Sequence, residues 1–152
     1  MNLGSELLTK EFFTKPRPVL SRGHPVIVSS EAGGYTGAYA NDGDRSTRWC
    51  ANGPSYPQWW QVDLGEVKDL GGCKIVWELA GNARFLVEGS PDGTAWNTLL
   101  DRTGGRENPA KIQSFDFKFQ AHARFVRVSI QGGPGWAGFR ECEIFGTPKV
   151  IK

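Results

Sequence analysis

The 152-residue chain is short of the residue types on which many hydrolases and metalloproteins are built, with two histidines and three cysteines. His24 and His122 stand 98 positions apart, which leaves no His-Glu-x-x-His pair and no sign of a histidine-based triad. Cys50, Cys73 and Cys142 are odd in number and lack Cys-x-x-Cys spacing, so at most one intramolecular disulfide can form and a cysteine-only zinc site is excluded. Charge of one sign is also missing. Lys plus Arg is 18 against 16 Asp plus Glu, and a net charge of +2 supplies no field of the kind that draws proteins onto nucleic acid. No apolar run exceeds three residues, so the sequence carries neither a membrane-spanning helix nor the apolar segment of a signal peptide.

What is present is glycine (20 residues), proline (9) and aromatics, of which 15 of 18 are Phe or Trp; this usage predicts a turn-rich β protein without long helices. Apolar residues at 39% and charged residues at 22% suffice for a buried core, and the length predicts one domain. Residues 1–22 read as an N-terminal extension or linker, in which Ser5 to Phe13 could form a short amphipathic helix stopped by Lys15-Pro16-Arg17-Pro18. Residues 23–147 read as the domain and 148–152 as a tail.

Within the domain, short segments alternate in polarity with period two, the signature of half-buried strands. Trp60, Val62 and Leu64 alternate with Gln61 and Asp63, and Cys73, Ile75, Trp77 and Leu79 with Lys74, Val76 and Glu78. Further strands are expected at Val26 to Val28, Phe85 to Val87, Trp96 to Leu100, the Phe115-Phe117-Phe119 series, Val126-Val128-Ile130, and Cys142 with Ile144 against Glu141 and Glu143. Ser90-Pro91-Asp92-Gly93 supplies the residues a tight turn requires. Eight or so short strands predict an all-β, two-sheet sandwich.

Asp42-Gly43-Asp44 followed by Thr47 packs hard oxygen ligands into one turn, as a calcium ion requires. It is not an EF-hand, because position 12 from Asp42 is Gly53. A turn closed by its own Asp side chains, with no ion, would use the same residues.

Several segments in order resemble one known pattern: Ala40-Asn41-Asp42-Gly43-Asp44-Arg45-Ser46-Thr47-Arg48-Trp49, then Pro57-Gln58-Trp59-Trp60-Gln61-Val62-Asp63-Leu64-Gly65, Trp77-Glu78 with Phe85, Ser90 to Trp96, Ala123 to Val128, and Glu141-Cys142-Glu143-Ile144-Phe145-Gly146. The chain is similar to the discoidin, or coagulation factor 5/8 type C, domains, most of all to bacterial family 32 carbohydrate-binding modules. The resemblance implies a galactose-binding-like jelly roll and a noncatalytic module for galactose-type or related glycans. The module would be a monomer within a larger secreted, cell-surface or periplasmic glycan-active enzyme. An adhesion domain for a protein or phospholipid surface is the alternative. That reading needs apolar spikes or a basic rim, which the balanced charge does not favour. The resemblance also implies a structural calcium ion held by the side chains of Asp42 and Thr47, the carbonyls of Tyr39, Asp44 and Arg140, and the carboxylate of Glu141. Two departures stand out: Cys142 has no cysteine near the N-terminal edge of the domain, and no histidine lies between Cys50 and Trp59.

The sugar site of such a fold lies on loops at one end, here residues 31–37, 52–57, 78–84 and 132–139. A hexose needs an aromatic face and a few planar polar groups. Trp136, set among three glycines, is the leading aromatic candidate, with Tyr56, Tyr35 and Phe139 behind it. Arg84, Asn82, Glu78 and Asn52 are the polar candidates. Trp49, Trp59, Trp77 and Trp96 are expected in the core, and Arg124 and Arg127 in structural roles. A glycosidase reading could in principle use Glu78 and Glu31, but nothing in the sequence pairs them at a catalytic distance.

Overall fold

A computed structural model describes residues 17–104, 110–118 and 120–147. The expected helix at Ser5 to Phe13, Phe119 and the tail lie outside the described residues.

Among the described residues, eight antiparallel strands form two layers joined through one long strand. They are β1 (Val26–Val28), β2 (Trp49–Cys50), β3 (Gln58–Trp77), β4 (Arg84–Ser90), β5 (Asn97–Arg102), β6 (Ile112–Asp116), β7 (His122–Gly132) and β8 (Gly138–Gly146). A single 3-10 turn, Gly37–Asn41, lies between β1 and β2. The two alternating runs around Trp60 and Cys73 are halves of the same strand. The first half of β3 pairs with β1 and β7, and β7 continues to β4 and β5. Register shifts between Asp63 and Lys68, pairing with β7 resumes at Lys68 and Asp69, and from Leu70 onward β3 pairs with β8 and β6, and β8 with β2. A strand that changes sheets at an irregularity is how a sandwich turns a corner.

The inward faces carry the residues that period-two reading assigns to them: Trp60, Val62, Leu64, Cys73, Ile75, Phe85, Val87, Val126, Val128, Ile130 and Ile144 are all buried. Phe139 is the hub of the core. Its ring meets those of Trp49, Trp60 and Trp77 edge-on at 5.1, 5.6 and 5.8 Å, and Trp77 meets Phe85 at 5.1 Å across the layers. Each buried indole N–H has an acceptor, as burial demands: Trp49 Nε1 donates to Ser30 O, Trp60 Nε1 to Gly37 O and Trp77 Nε1 to Gln113 Oε1.

Three expectations are corrected. Trp59 and Trp96 are half-buried on the outside of the first layer, where the Arg127 guanidinium stacks between them at 4.8 and 4.3 Å from their ring centroids. Phe117 lies beyond the end of β6, although it is buried. Glu141, on the same face as Glu143, is buried rather than open to solvent, because the turn after Asp42 covers it and the Gly43 N–H donates to its carboxylate. A bulge in β8, where Phe139 pairs with Trp77 and Glu141 with Val76, leaves Arg140 with no partner on β3 and brings Phe139 into the core with Cys142 and Ile144.

Candidate functional site

Three of the four loops meet around Trp136. Gly133 and Gly135 take positive φ (156° and 63°), a conformation that suits glycine and lets the chain turn sharply before Trp136. Tyr56 braces this turn from the neighbouring loop: its hydroxyl contacts Gly135 O and donates toward Gly133 O at 3.3 Å. Leu79, Ala83, Pro134 and Trp136 wall a shallow depression whose floor reaches Trp77 and Ile130. Trp136 keeps 47% of its surface exposed and Tyr35 37%.

The polar candidates fall into two groups. Arg84 and Asn82 are exposed, and the Arg84 guanidinium lies over Gly132, where a Cβ would stand 2.4 Å from Nη2. Asn52 is exposed and donates its backbone N–H to Ser30 Oγ. Glu78 is already engaged. Its Oε1 lies 3.7 Å from Arg48 Nη1 and its Oε2 lies 3.0 Å from Arg140 Nε. Arg48 in turn stacks on Tyr35, 4.3 Å from the ring centroid. Glu31 accepts the Gly37 N–H at 3.0 Å. Phe139 is corrected outright: it has no exposed surface and belongs to the core, so it cannot touch a ligand.

Beside these loops, the Asp42 turn presents an acceptor-rich cluster. Gly43 has φ 80°, which allows the chain to reverse and point its N–H at Glu141 Oε1, 2.9 Å away. Thr47 Oγ1 lies 2.6 Å from Asp42 Oδ2, 2.9 Å from Asp44 O and 3.4 Å from Tyr39 O. A hydroxyl has one proton and can donate to one of these three oxygens. Glu141 Oε2 is buried with no hydrogen-bond partner. Burial pushes the Glu141 carboxyl up to about 7, opposed by the Gly43 N–H and reinforced by the Asp42 carboxylate. Excess oxygens around a buried carboxylate are the donor set a hard cation would satisfy, so the residues fit calcium. Among the described residues no three His, Cys, Asp or Glu side chains gather as a metal group, so such a cage needs the carbonyls and the hydroxyl.

The sequence matches the F5/8 type C domain family over residues 25–143. The chain belongs to that family. This F5/8 type C domain has the fold of chitosan-binding module 1 from a chitosanase/glucanase of Paenibacillus sp. IK-5, at TM-score 0.76 and 25% identity over 86% of this chain and all of that one. Module 2 of the same enzyme, solved with chitotriose, gives TM-score 0.74 and 27% identity over 84% of this chain and 99% of that one. A family 32 module of a Clostridium perfringens family 89 enzyme, solved with GlcNAc-α-1,4-galactose, shares the fold at TM-score 0.74 and 21% identity, over 86% of this chain and 95% of that one. A polysaccharide lyase 8 family protein of Enterococcus faecalis is 33% identical over 94 residues, 61% of this chain; the domain spans 7% of that protein's length.

Sequence reasoning missed two residues of this F5/8 type C domain's loop end, Arg48 and the side chain of Arg140. Both lie in or beside the motifs that carry the resemblance. Their partners are remote in sequence, so no local spacing could have revealed the roles.

Proposed function

We propose that this domain is a noncatalytic carbohydrate-binding module that holds a secreted glycan-active enzyme on galactose-type or related glycans. The observation that carries the reading is Trp136, a half-exposed indole plate on a loop braced by Tyr56 beside a shallow depression. An aromatic face of this kind covers the C–H side of a hexose, while Arg84 and Asn82 on the adjoining loop offer hydroxyl partners. Several structural relatives are modules solved with or named for glycans, which supports the same class of ligand. A glycosidase is disfavoured because Glu78 is ion-paired with Arg48 and Arg140 and Glu31 is held by the Gly37 N–H, which leaves neither loop carboxylate free for a two-carboxylate mechanism. A shallow site binds one sugar weakly, and retention then comes from tethering.

In this reading calcium is a structural ion. Asp42, Thr47 and Glu141, with the carbonyls of Tyr39, Asp44 and Arg140, would hold it and join the turn to the last strand. An ion bound only by the folded state adds about 2.7 kcal/mol at a hundredfold excess over Kd. The midpoint of a thermal melt should then rise by roughly 5–10 °C when calcium is added to chelated protein, and Asp42→Ala should remove the rise. Equal midpoints would dismiss the ion. A glycan array, with anionic lipid vesicles as a separate arm, tests the function itself; binding to vesicles and to no glycan would replace this reading with the adhesion one.

A further inference from the structure

The turn that fits calcium and the loops that carry Trp136 are gripped by one two-residue step of β8. Glu141 accepts the Gly43 N–H at 2.9 Å. Its neighbour Arg140, freed from the β3 ladder by the bulge, donates from Nη1 to Arg45 O at 2.8 Å, inside the same turn. The other side of the Arg140 guanidinium faces Glu78: Nε lies 3.0 Å from Oε2. Glu78 reaches Arg48, and Arg48 lies against Tyr35. A continuous line of contacts therefore runs from the Asp42 turn through Arg45 O and Arg140 to Glu78, which immediately precedes Leu79 in the wall of the Trp136 depression, and on through Arg48 to Tyr35 in the loop 31–37.

The line is built to respond to small movements. Glu78 has only 21% of its side chain exposed and serves two guanidinium groups at once. Its Oε2 and the Nε of Arg48 are buried without an aligned hydrogen bond, although the ion-pair distances are met. Hydrogen bonds weaken steeply with misalignment, so a shift of the Arg140 fork by a few tenths of an ångström redistributes Glu78 between its two partners. A cation that locks the Asp42 turn fixes Arg45 O, and with it one end of that fork.

We propose that Arg140 is a positioning residue that couples cation capture by the Asp42 turn to ligand binding, by setting Glu78 at the start of the 78–84 loop and, through it, Arg48. The inference rests on the carbohydrate-binding reading and on the fit of the turn to calcium. Coupling between two equilibria is reciprocal, so the glycan must tighten calcium binding by the same factor that calcium tightens glycan binding. For a line of partly exposed ion pairs the factor belongs at the low end of the usual range, about fivefold.

The test uses the whole chain, labelled with 15N, and follows the Nε–Hε resonances of Arg48 and Arg140 during a calcium titration. In the parent protein both signals should move with one apparent Kd. In Arg140→Gln, whose main-chain carbonyl is unchanged, calcium should still raise the melting midpoint while the Arg48 signal no longer responds. Arg140→Lys keeps the charge but lacks a fork that reaches two acceptors, so it should behave like Arg140→Gln; it also serves if the glutamine variant fails to fold. Calorimetric titration with the best array sugar should give an affinity about fivefold weaker in chelator than in calcium for the parent, and calcium-independent affinity for the variants. The proposal is overturned if calcium does not bind, if the Arg48 signal of the parent ignores calcium, or if it still responds in both variants. Equal sugar affinities with and without calcium overturn it too. Absence of any glycan binding would overturn the carbohydrate reading together with the coupling, whereas glycan binding with an Arg48 signal that ignores calcium would overturn the coupling alone.

Discussion

Replacing Trp136 by alanine separates a ligand-binding indole from a core indole on one variant. A tryptophan side chain presents at most about 250 Å². With 47% of Trp136 exposed, about 120 Å² is open to a ligand. A hexose face covering half of this removes about 60 Å² of apolar surface from water, worth about 1.5 kcal/mol at about 25 cal/mol/Å². Stacking at the low end of its range adds about 0.5 kcal/mol. The sum, about 2 kcal/mol, predicts roughly 30-fold weaker sugar binding in Trp136→Ala by calorimetric titration. Stability should fall little, by about 1 kcal/mol, because the indole sits on a loop end whose glycines can close over the gap. Phe139→Ala is the control. It removes the hub that touches three tryptophans, and truncating a packed phenylalanine costs about 3–5 kcal/mol. The melting midpoint should drop by about 10 °C or more for Phe139→Ala and by only a few degrees for Trp136→Ala. Unchanged sugar affinity in Trp136→Ala, or a loss of stability equal to that of Phe139→Ala, would refute the reasoning.

Acid unfolding offers a second check: the Arg124 guanidinium, hydrogen-bonded to Asp63 at 2.9 and 3.0 Å, holds the Asp63 carboxyl below its ordinary value. A depressed folded-state pKa contributes stability above the unfolded value of about 3.9 and loses it as pH falls through the folded one. Asp63→Asn should therefore show a shallower loss of denaturant stability between about pH 5 and pH 2 than the parent; parallel curves would argue that the pair adds nothing. Thiol reactivity gives a third. Burial pushes the Cys73 thiol up to about 12 and Cys142 well above its usual value, while half-buried Cys50 is raised less severely, chiefly by burial. Native protein should release at most one equivalent of chromophore with a disulfide reagent and three after denaturation in reductant-free guanidinium, since all three are free thiols. Rapid native reaction of two or more thiols would contradict the packing of β3 against β8.

What could be read from the sequence alone was everything that depends on local alternation and turn chemistry. Period two put Trp60, Val62, Ile75, Val126 and Val128 on inward faces, and the glycines around Trp136 marked an indole with few neighbours in sequence. These features survive in the structure because a side chain's face is set by its own strand. What the tertiary structure decided was everything that depends on register and on partners far along the chain. That the alternating runs around Trp60 and Cys73 belong to one strand was settled by pairing, since β3 keeps β7 as its partner past the irregularity after Asp63 and exchanges it for β8 and β6 from Leu70 onward. One unpaired residue at Arg140 brought Phe139 into the core with Cys142 and Ile144, contrary to simple alternation, and left the Arg140 guanidinium to reach Glu78. Phe139 moved from candidate ligand contact to the centre of the core for a related reason, because it pairs with both Trp49 and Trp77. A bulge shifts every following side chain relative to its neighbours, and its position depends on contacts across the sheet that no short stretch of sequence contains.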